Sequence, residues 1–265
     1  MMESTNPYLS HDRDEAIDRI DQLTTWFGTL PSPVSLETLE DQYSFLKGRL
    51  RMLNSGGIQK YLWYADRFQY RMIDGKTAYH SQILPEAVRR FLTDEDMALV
   101  IPSYTSSGKV YRVTFRSVFT KSFRYYTPTP HIPHGFLRKN KPFGCPWIVV
   151  ESAFDSDWLS TMYPYVLATG GVSGLNREGV DMVSNTANRV FVAFDNDSSG
   201  RNGFYNLKGK LSKSNPDLYI QMMMMSPYGK DFGDVAQLEM EPDKVFEVEM
   251  YKNMVLNEFS RLGLC

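Results

Sequence analysis

Five carboxylates stand where an apolar run has just ended. Glu151 directly follows Ile148-Val149-Val150, Asp195 and Asp197 form a D-x-D after Val190–Phe194, and Asp231 and Asp234 follow the last apolar run after a Pro227-Tyr228-Gly229 turn. If these runs are neighbouring parallel strands, their carboxyl ends share one edge, the edge at which open α/β sheets bind ligands. Carboxylates gathered within a few Å repel one another unless a divalent cation sits among them. Oxygen donors without histidine or cysteine select Mg²⁺ or Mn²⁺. The chemistry this pattern points to is metal-assisted reaction at an anionic substrate; the rival reading is a set of unrelated acids at solvated loop tips.

A second feature lies just upstream. Between Asp96 and Glu151 there is no acidic residue, while Lys109, Arg112, Arg116, Lys121, Arg124, Arg138, Lys139 and Lys141 give a local charge of +8. Interleaved with them are Tyr104, Tyr111, Phe115, Phe119, Phe123, Tyr125, Tyr126, Phe136 and Phe143. Cations neutralise phosphates and aromatic faces stack on bases, so the mixture suits a surface for single-stranded nucleic acid. The alternative is a solvated basic face whose aromatics form the local core.

The elements that must hold these residues are legible from period. Ile17, Ile20, Thr24 and Phe27 recur at helical spacing before Gly28, and Leu36, Leu39, Tyr43, Leu46, Leu50 and Leu53 form a second helical stripe, closed by Gly56 and Gly57. Residues 58–96 are mixed, with one helix expected over Glu86–Leu92. Ala98–Pro102 and Val110–Phe119, joined by Ser106-Ser107-Gly108-Lys109, predict a hairpin, read as a basic antiparallel ribbon. From Trp147 the pattern alternates: strands over Trp147–Val150, Val166–Ala168, Val190–Phe194 and Leu218–Met224, with helices over Asp155–Met162, Leu175–Val183 and Arg201–Leu211. Such alternation implies right-handed crossovers and a parallel sheet. Val245, Val248, Tyr251, Val255, Phe259 and Leu262 predict a closing helix over Asp243–Leu262. The expected organisation is a helical region over 1–96, a basic α+β lobe over 97–146, an α/β domain over 147–236 and a C-terminal helix over 237–265.

Composition bounds the rest. The chain has 265 residues, 42% of them hydrophobic and 23% charged, enough to bury its own core. Its net charge of −2 says nothing about partners, so the local charge above carries that argument. Two cysteines, Cys145 and Cys265, can build neither a zinc ribbon nor a disulfide framework, and their scarcity fits a reducing compartment. With no long apolar run and no signal-peptide core, a soluble cytoplasmic protein without membrane contact is expected. A G-x-x-x-x-G-K-[ST] loop is absent, so an ATP-driven motor would have to come from another chain. Met222–Met225 reads as a buried strand with adaptable side chains.

Four segments together resemble a known domain. Val149-Val150-Glu151-Ser152-Ala153-Phe154-Asp155, Ala168-Thr169-Gly170-Gly171, Phe194-Asp195-Asn196-Asp197-Ser198-Ser199-Gly200-Arg201 and Gly229-Lys230-Asp231-Phe232-Gly233-Asp234 look like the signatures of a TOPRIM domain over about 147–236. That domain is shared by bacterial-type primases, topoisomerases and some nucleases. Upstream, Ala98–Pro102, the Gly108 turn, Phe115-Arg116, Arg124-Tyr125-Tyr126 and His134-Gly135-Phe136 resemble the RNA-polymerase core of DnaG-like and phage primases.

The resemblance implies a TOPRIM fold, a Rossmann-like parallel sheet, and a DNA primase-like enzyme making RNA primers from ribonucleoside triphosphates on single-stranded DNA. It implies that Glu151, Asp195 and Asp197, with Asp231, Asp155 and Asp234, hold Mg²⁺ or Mn²⁺. Arg116, Lys121 and Arg124 would contact nucleotide phosphates or template, and Arg201 and Lys230 would assist at the triphosphate. His131 and His134 read as bystanders. Ser152 stands where the family has glycine, which predicts either crowding of the site or an ordinary backbone there. The zinc module that usually selects start sites is missing, so start-site selection would come from the helical N-terminal region, from a partner such as a replicative helicase on a separate chain, or not at all. A TOPRIM nuclease and a DNA-binding replisome accessory are the rival readings.

Overall fold

The computed structural model describes residues 13–30, 57–74, 97–118, 127, 132–138, 144–171, 174–223, 238–239 and 242–264. The helices expected over Leu36–Leu53 and Glu86–Leu92 lie outside them. The chain forms two compact units, one of residues 1–32 and 71–128, the other of residues 33–70 and 129–265.

The first unit packs helix α1 (Arg13–Thr29) on a three-stranded antiparallel sheet, β1 (Arg71–Asp74), β2 (Met97–Tyr104) and β3 (Val110–Ser117), in the order β1-β2-β3. Trp26, Phe27 and Leu30 meet Ile73, Ala98, Val100, Val113 and Phe115 in its core. The expected hairpin is present, with Thr105 N–H donating to the Lys109 carbonyl across the turn.

Its character differs from a solvated basic ribbon. Every residue of β3 except Arg116 is buried. Lys109 is ion-paired with Asp21 at 2.6 Å. Arg112 is buried, donates to Thr127 Oγ1, and burial lowers its pKa to about 10. A charge sum along the chain counts all these cations alike, whereas folding has committed several of them internally.

In the second unit, α2 (Gly57–Phe68) precedes β4 (Cys145–Val150), α3 (Ala153–Leu159), β5 (Val166–Ala168), α4 (Arg177–Thr186), β6 (Ala187–Ala193), α5 (Ser198–Ser214), β7 (Tyr219–Met222) and α6 (Val245–Arg261). The strands form a parallel sheet in the order β5-β4-β6-β7. Alternate side chains serve opposite faces. Ile148, Val150, Phe191 and Ala193 join Trp158 and Leu159 of α3 and Tyr251, Val255 and Phe259 of α6. Trp147, Val149, Val190 and Val192 join Val180 and Val183 of α4 and Phe204, Leu207 and Leu211 of α5. Both faces are covered, which is why these strands read as continuous apolar runs. No helix among the described residues is long and apolar enough to cross a membrane.

Candidate active site

Strand order locates the site before any side chain is considered. From β4 the chain crosses to β5 on one side and then returns to place β6 on the other, so the connections diverge between β4 and β6. That divergence opens a crevice at the carboxyl ends of the two strands. Val150 and Ala193 are in register there, and Glu151 continues β4 as Phe194-Asp195 continues β6. Glu151, Asp195 and Asp197 are all half-buried, and Oε1 of Glu151 is shut off from solvent.

Backbone bonds tie the loops of this edge together. Thr169 N–H donates to the Val150 carbonyl and Gly170 N–H to the Glu151 carbonyl, joining the end of β5 to the end of β4. Ser152 is extended, at φ −109° and ψ 154°, so its backbone makes no demand for glycine. Its Oγ caps α3 by accepting from Asp155 N–H and donates to Asp155 Oδ2 at 2.6 Å. Asp155 is buried in that cap.

The D-x-D has an internal division of labour. Asp197 is the N-cap of α5, with Oδ1 accepting from Gly200 N–H at 2.8 Å, so a metal role for Asp197 would fall to Oδ2. Gly200 is required by space: a Cβ there would lie 2.0 Å from the Asp195 carbonyl oxygen and 3.0 Å from Asp195 N. Both atoms are backbone, so they yield only if the loop moves. Gly200→Ala is expected to lower stability by roughly 1–3 kcal/mol through overpacking and to displace Asp195, as thermal melting and turnover would read. Unaltered values of both would show that the loop tolerates the shift.

Beside the D-x-D an open pocket is walled by Phe194, Phe204, Met222 and Met223, with Asp195 and Arg201 at its polar side. Arg201 is exposed on the first turn of α5. Arg116 belongs to the first unit and is half-buried on β3. Lys121, Arg124, Lys230, Asp231, Asp234 and His131 lie outside the described residues.

The donors at this edge are carboxylate oxygens, which suits Mg²⁺ or Mn²⁺. Among the described residues no three His, Cys, Asp or Glu side chains gather where they could hold a metal ion together. Mg²⁺ does not need three, because it is commonly held by one or two carboxylates and completed by water and substrate phosphate. Glu151 and Asp195 fit that arrangement.

One cluster was not visible in the sequence. Asp157 of α3 is 3% exposed and accepts from His134 Nε2 at 2.8 Å, from Arg138, and from the Tyr70 hydroxyl. Burial pushes this carboxyl up, but His134 and Arg138 outweigh it and bring the pKa to about 2. Burial, and then Asp157, holds the Tyr70 hydroxyl well above its ordinary value. Gly135 has φ +86°, and a Cβ there would lie 2.4 Å from the Val166 carbonyl oxygen, so glycine lets His134 approach β5. His134 is therefore a buried structural partner of Asp157, and its carbonyl accepts from Ala168 N–H.

Comparison with known proteins agrees with this architecture. Residues 148–236 match the family described as Toprim-like. A DnaG primase catalytic domain bound to single-stranded DNA is similar at 17% identity, covering 91% of this chain and 80% of that one, with a TM-score of 0.52. An Aquifex aeolicus primase comprising zinc-binding and RNA-polymerase domains is similar at 16% identity, covering 86% of this chain and 60% of that one, also at 0.52. A DNA primase domain from Pseudomonas aeruginosa is matched over 54% of this chain and 47% of its own length, at 17% identity and a TM-score of 0.43. The chain thus spans less than two thirds of the Aquifex and Pseudomonas chains. Curated protein sequences gave no match. The chain carries a Toprim-like domain, and its fold is that of DnaG-type primase catalytic cores.

Proposed function

We propose that the chain is a primase-type nucleotidyltransferase that joins ribonucleotides on a single-stranded DNA template. The observation that carries the proposal is the placement of Glu151 and Asp195 on neighbouring strand ends, at the point where the sheet's connections diverge, within a fold that matches a DnaG catalytic domain over 91% of the chain. That extent supports primer synthesis over cleavage, since the likeness reaches well beyond the Toprim-like segment.

In this reading Glu151 and Asp195 hold Mg²⁺ or Mn²⁺, joined by Asp197 Oδ2 and by Asp231 and Asp234. Bound there, the metal would offset triphosphate charge and lower the pKa of an attacking 3′-hydroxyl. Arg201 meets triphosphate oxygens at the mouth of the pocket, and Lys230 assists. Asp155 acts through Ser152, fixing the first turn of α3 behind Glu151. Arg116, Lys121 and Arg124 serve template or nucleotide phosphates. A replicative helicase is the partner this reading expects.

Protein, Mg²⁺ or Mn²⁺, ribonucleoside triphosphates and single-stranded DNA in one incubation test the proposal. Short template-dependent RNA is expected. Shortened DNA would replace the proposal with a nuclease, and DNA binding without either product would leave an accessory protein.

A further inference from the structure

We propose that the outer face of α5 is a track for single-stranded DNA leading from the active-site pocket. This deepens the polymerase reading and rests on it. Helix α5 carries Arg201, Lys208, Lys210 and Lys213 and no acidic residue. Lys210 is turned inward, donating to the Leu175 carbonyl, and Asp181 accepts from Ser214 in the last turn of α5. The residues at i, i+4 and i+7 on one exposed stripe are Arg201, Tyr205 and Lys208.

Tyr205 is the feature that packing does not explain. It is 67% exposed, although a tyrosine buried for stability would turn its ring inward as Phe204 does. Its ring rests edge-on against Phe204, centroids 5.2 Å apart, and Lys208 Nζ stands 5.9 Å from the same Phe204 ring. Phe204 thus fixes both an outward aromatic face and a cation beside it. Neither Arg201 nor Lys208 has an ion-pair partner among the described residues. Lys208 stands seven helical steps after Arg201, a rise of about 10 Å, which is roughly three nucleotides at ~3.4 Å each. A cation that meets a strand phosphate, Lys208, beside a ring that meets a base, Tyr205, is what a single strand requires and what a folded protein surface or a duplex does not. Arg201 also lines the pocket, so the stripe begins where the reacting strand must lie.

The test is fluorescence anisotropy of a labelled oligo(dT) with the full chain, over a range of salt. Tyr205→Ala is expected to weaken binding roughly tenfold, within the measured worth of a base–aromatic stack, and Tyr205→Trp to retain it. Lys208→Gln should lower the salt slope by about 0.7, the loss of one phosphate contact. Wild-type affinity in both Tyr205→Ala and Lys208→Gln overturns the proposal, as does a Tyr205→Trp variant as weak as Tyr205→Ala. RNA synthesis by the same preparations separates this surface from the activity. A chain that makes no RNA yet loses DNA with Tyr205→Ala keeps the track and removes the polymerase reading; RNA synthesis with unaltered DNA affinity in the variants does the reverse.

Discussion

Asp157→Ala is expected to destabilise the chain by about 3–5 kcal/mol, the cost of leaving buried partners without their counter-charge. Tyr70 and His134 are 0% and 1% exposed, so neither can turn to water when the carboxylate is removed. Melting should fall by roughly 10 °C or more. Asp157→Asn keeps the shape and a carbonyl acceptor but not the charge, and belongs between the two. The wild-type pH dependence gives a second reading of the same cluster. The folded carboxyl titrates at about 2 against an ordinary 3.8, so its contribution is complete above pH 4 and is lost as pH falls toward 2. A depression of that size corresponds to about 2 kcal/mol. Tyr70 acts on the alkaline side: its pKa is raised, so its contribution is complete below pH 10 and declines as pH rises beyond that. Acid denaturation profiles that coincide for wild type and Asp157→Ala would remove Asp157 from this role.

The contrast between this cluster and the D-x-D explains what the sequence could reveal. Glu151, Asp195 and Asp197 each follow an apolar run on the same short stretch of chain, so strand periodicity alone places them at strand ends. The partners of Asp157 lie 87, 23 and 19 residues away in sequence, and no local pattern links them. The same distinction separates the elements. The strands β4 to β7 and helices α3 to α6 stand within a few residues of expectation, because two-sided burial and amphipathic spacing are written into each segment. Their starts moved where caps decide: α4 begins at Arg177 because Asn176 accepts from Gly179 N–H, and α5 begins at Ser198 because Asp197 caps it. Helix α2 was not anticipated, since Gly57 reads as a terminator and instead opens the helix. Strand β1 was missed because four residues carry little period, and its pairing with β2 is settled by a partner more than twenty residues onward. The charge sum over the basic segment could not separate its cations for a related reason. Charge is additive along a sequence, but Arg112 went into the core and Lys109 onto Asp21.

The largest effect on activity is expected from the two strand ends. Asp195→Asn or Glu151→Gln should lower turnover by at least about a hundredfold, the scale on which lost charge stabilisation of a transition state is measured. Both substitutions preserve side-chain volume and one carbonyl acceptor while removing the charge, so circular dichroism and oligonucleotide binding should be retained. Asp197 needs a finer comparison, because one of its oxygens caps α5. Losing a cap costs typically about 1 kcal/mol of stability, too little to abolish activity in a folded chain. Asparagine caps as well as aspartate, so Asp197→Asn isolates the charge, whereas Asp197→Ala removes charge and cap together. If the negative charge matters to the reaction, the two variants should lose similar turnover while only the alanine variant melts earlier. If the cap alone matters, Asp197→Asn should be active, and the metal role falls to Glu151 and Asp195. Full turnover in an Asp195→Asn, Asp197→Asn double variant would take the D-x-D out of the mechanism altogether, and with it the reason for placing the reaction between β4 and β6.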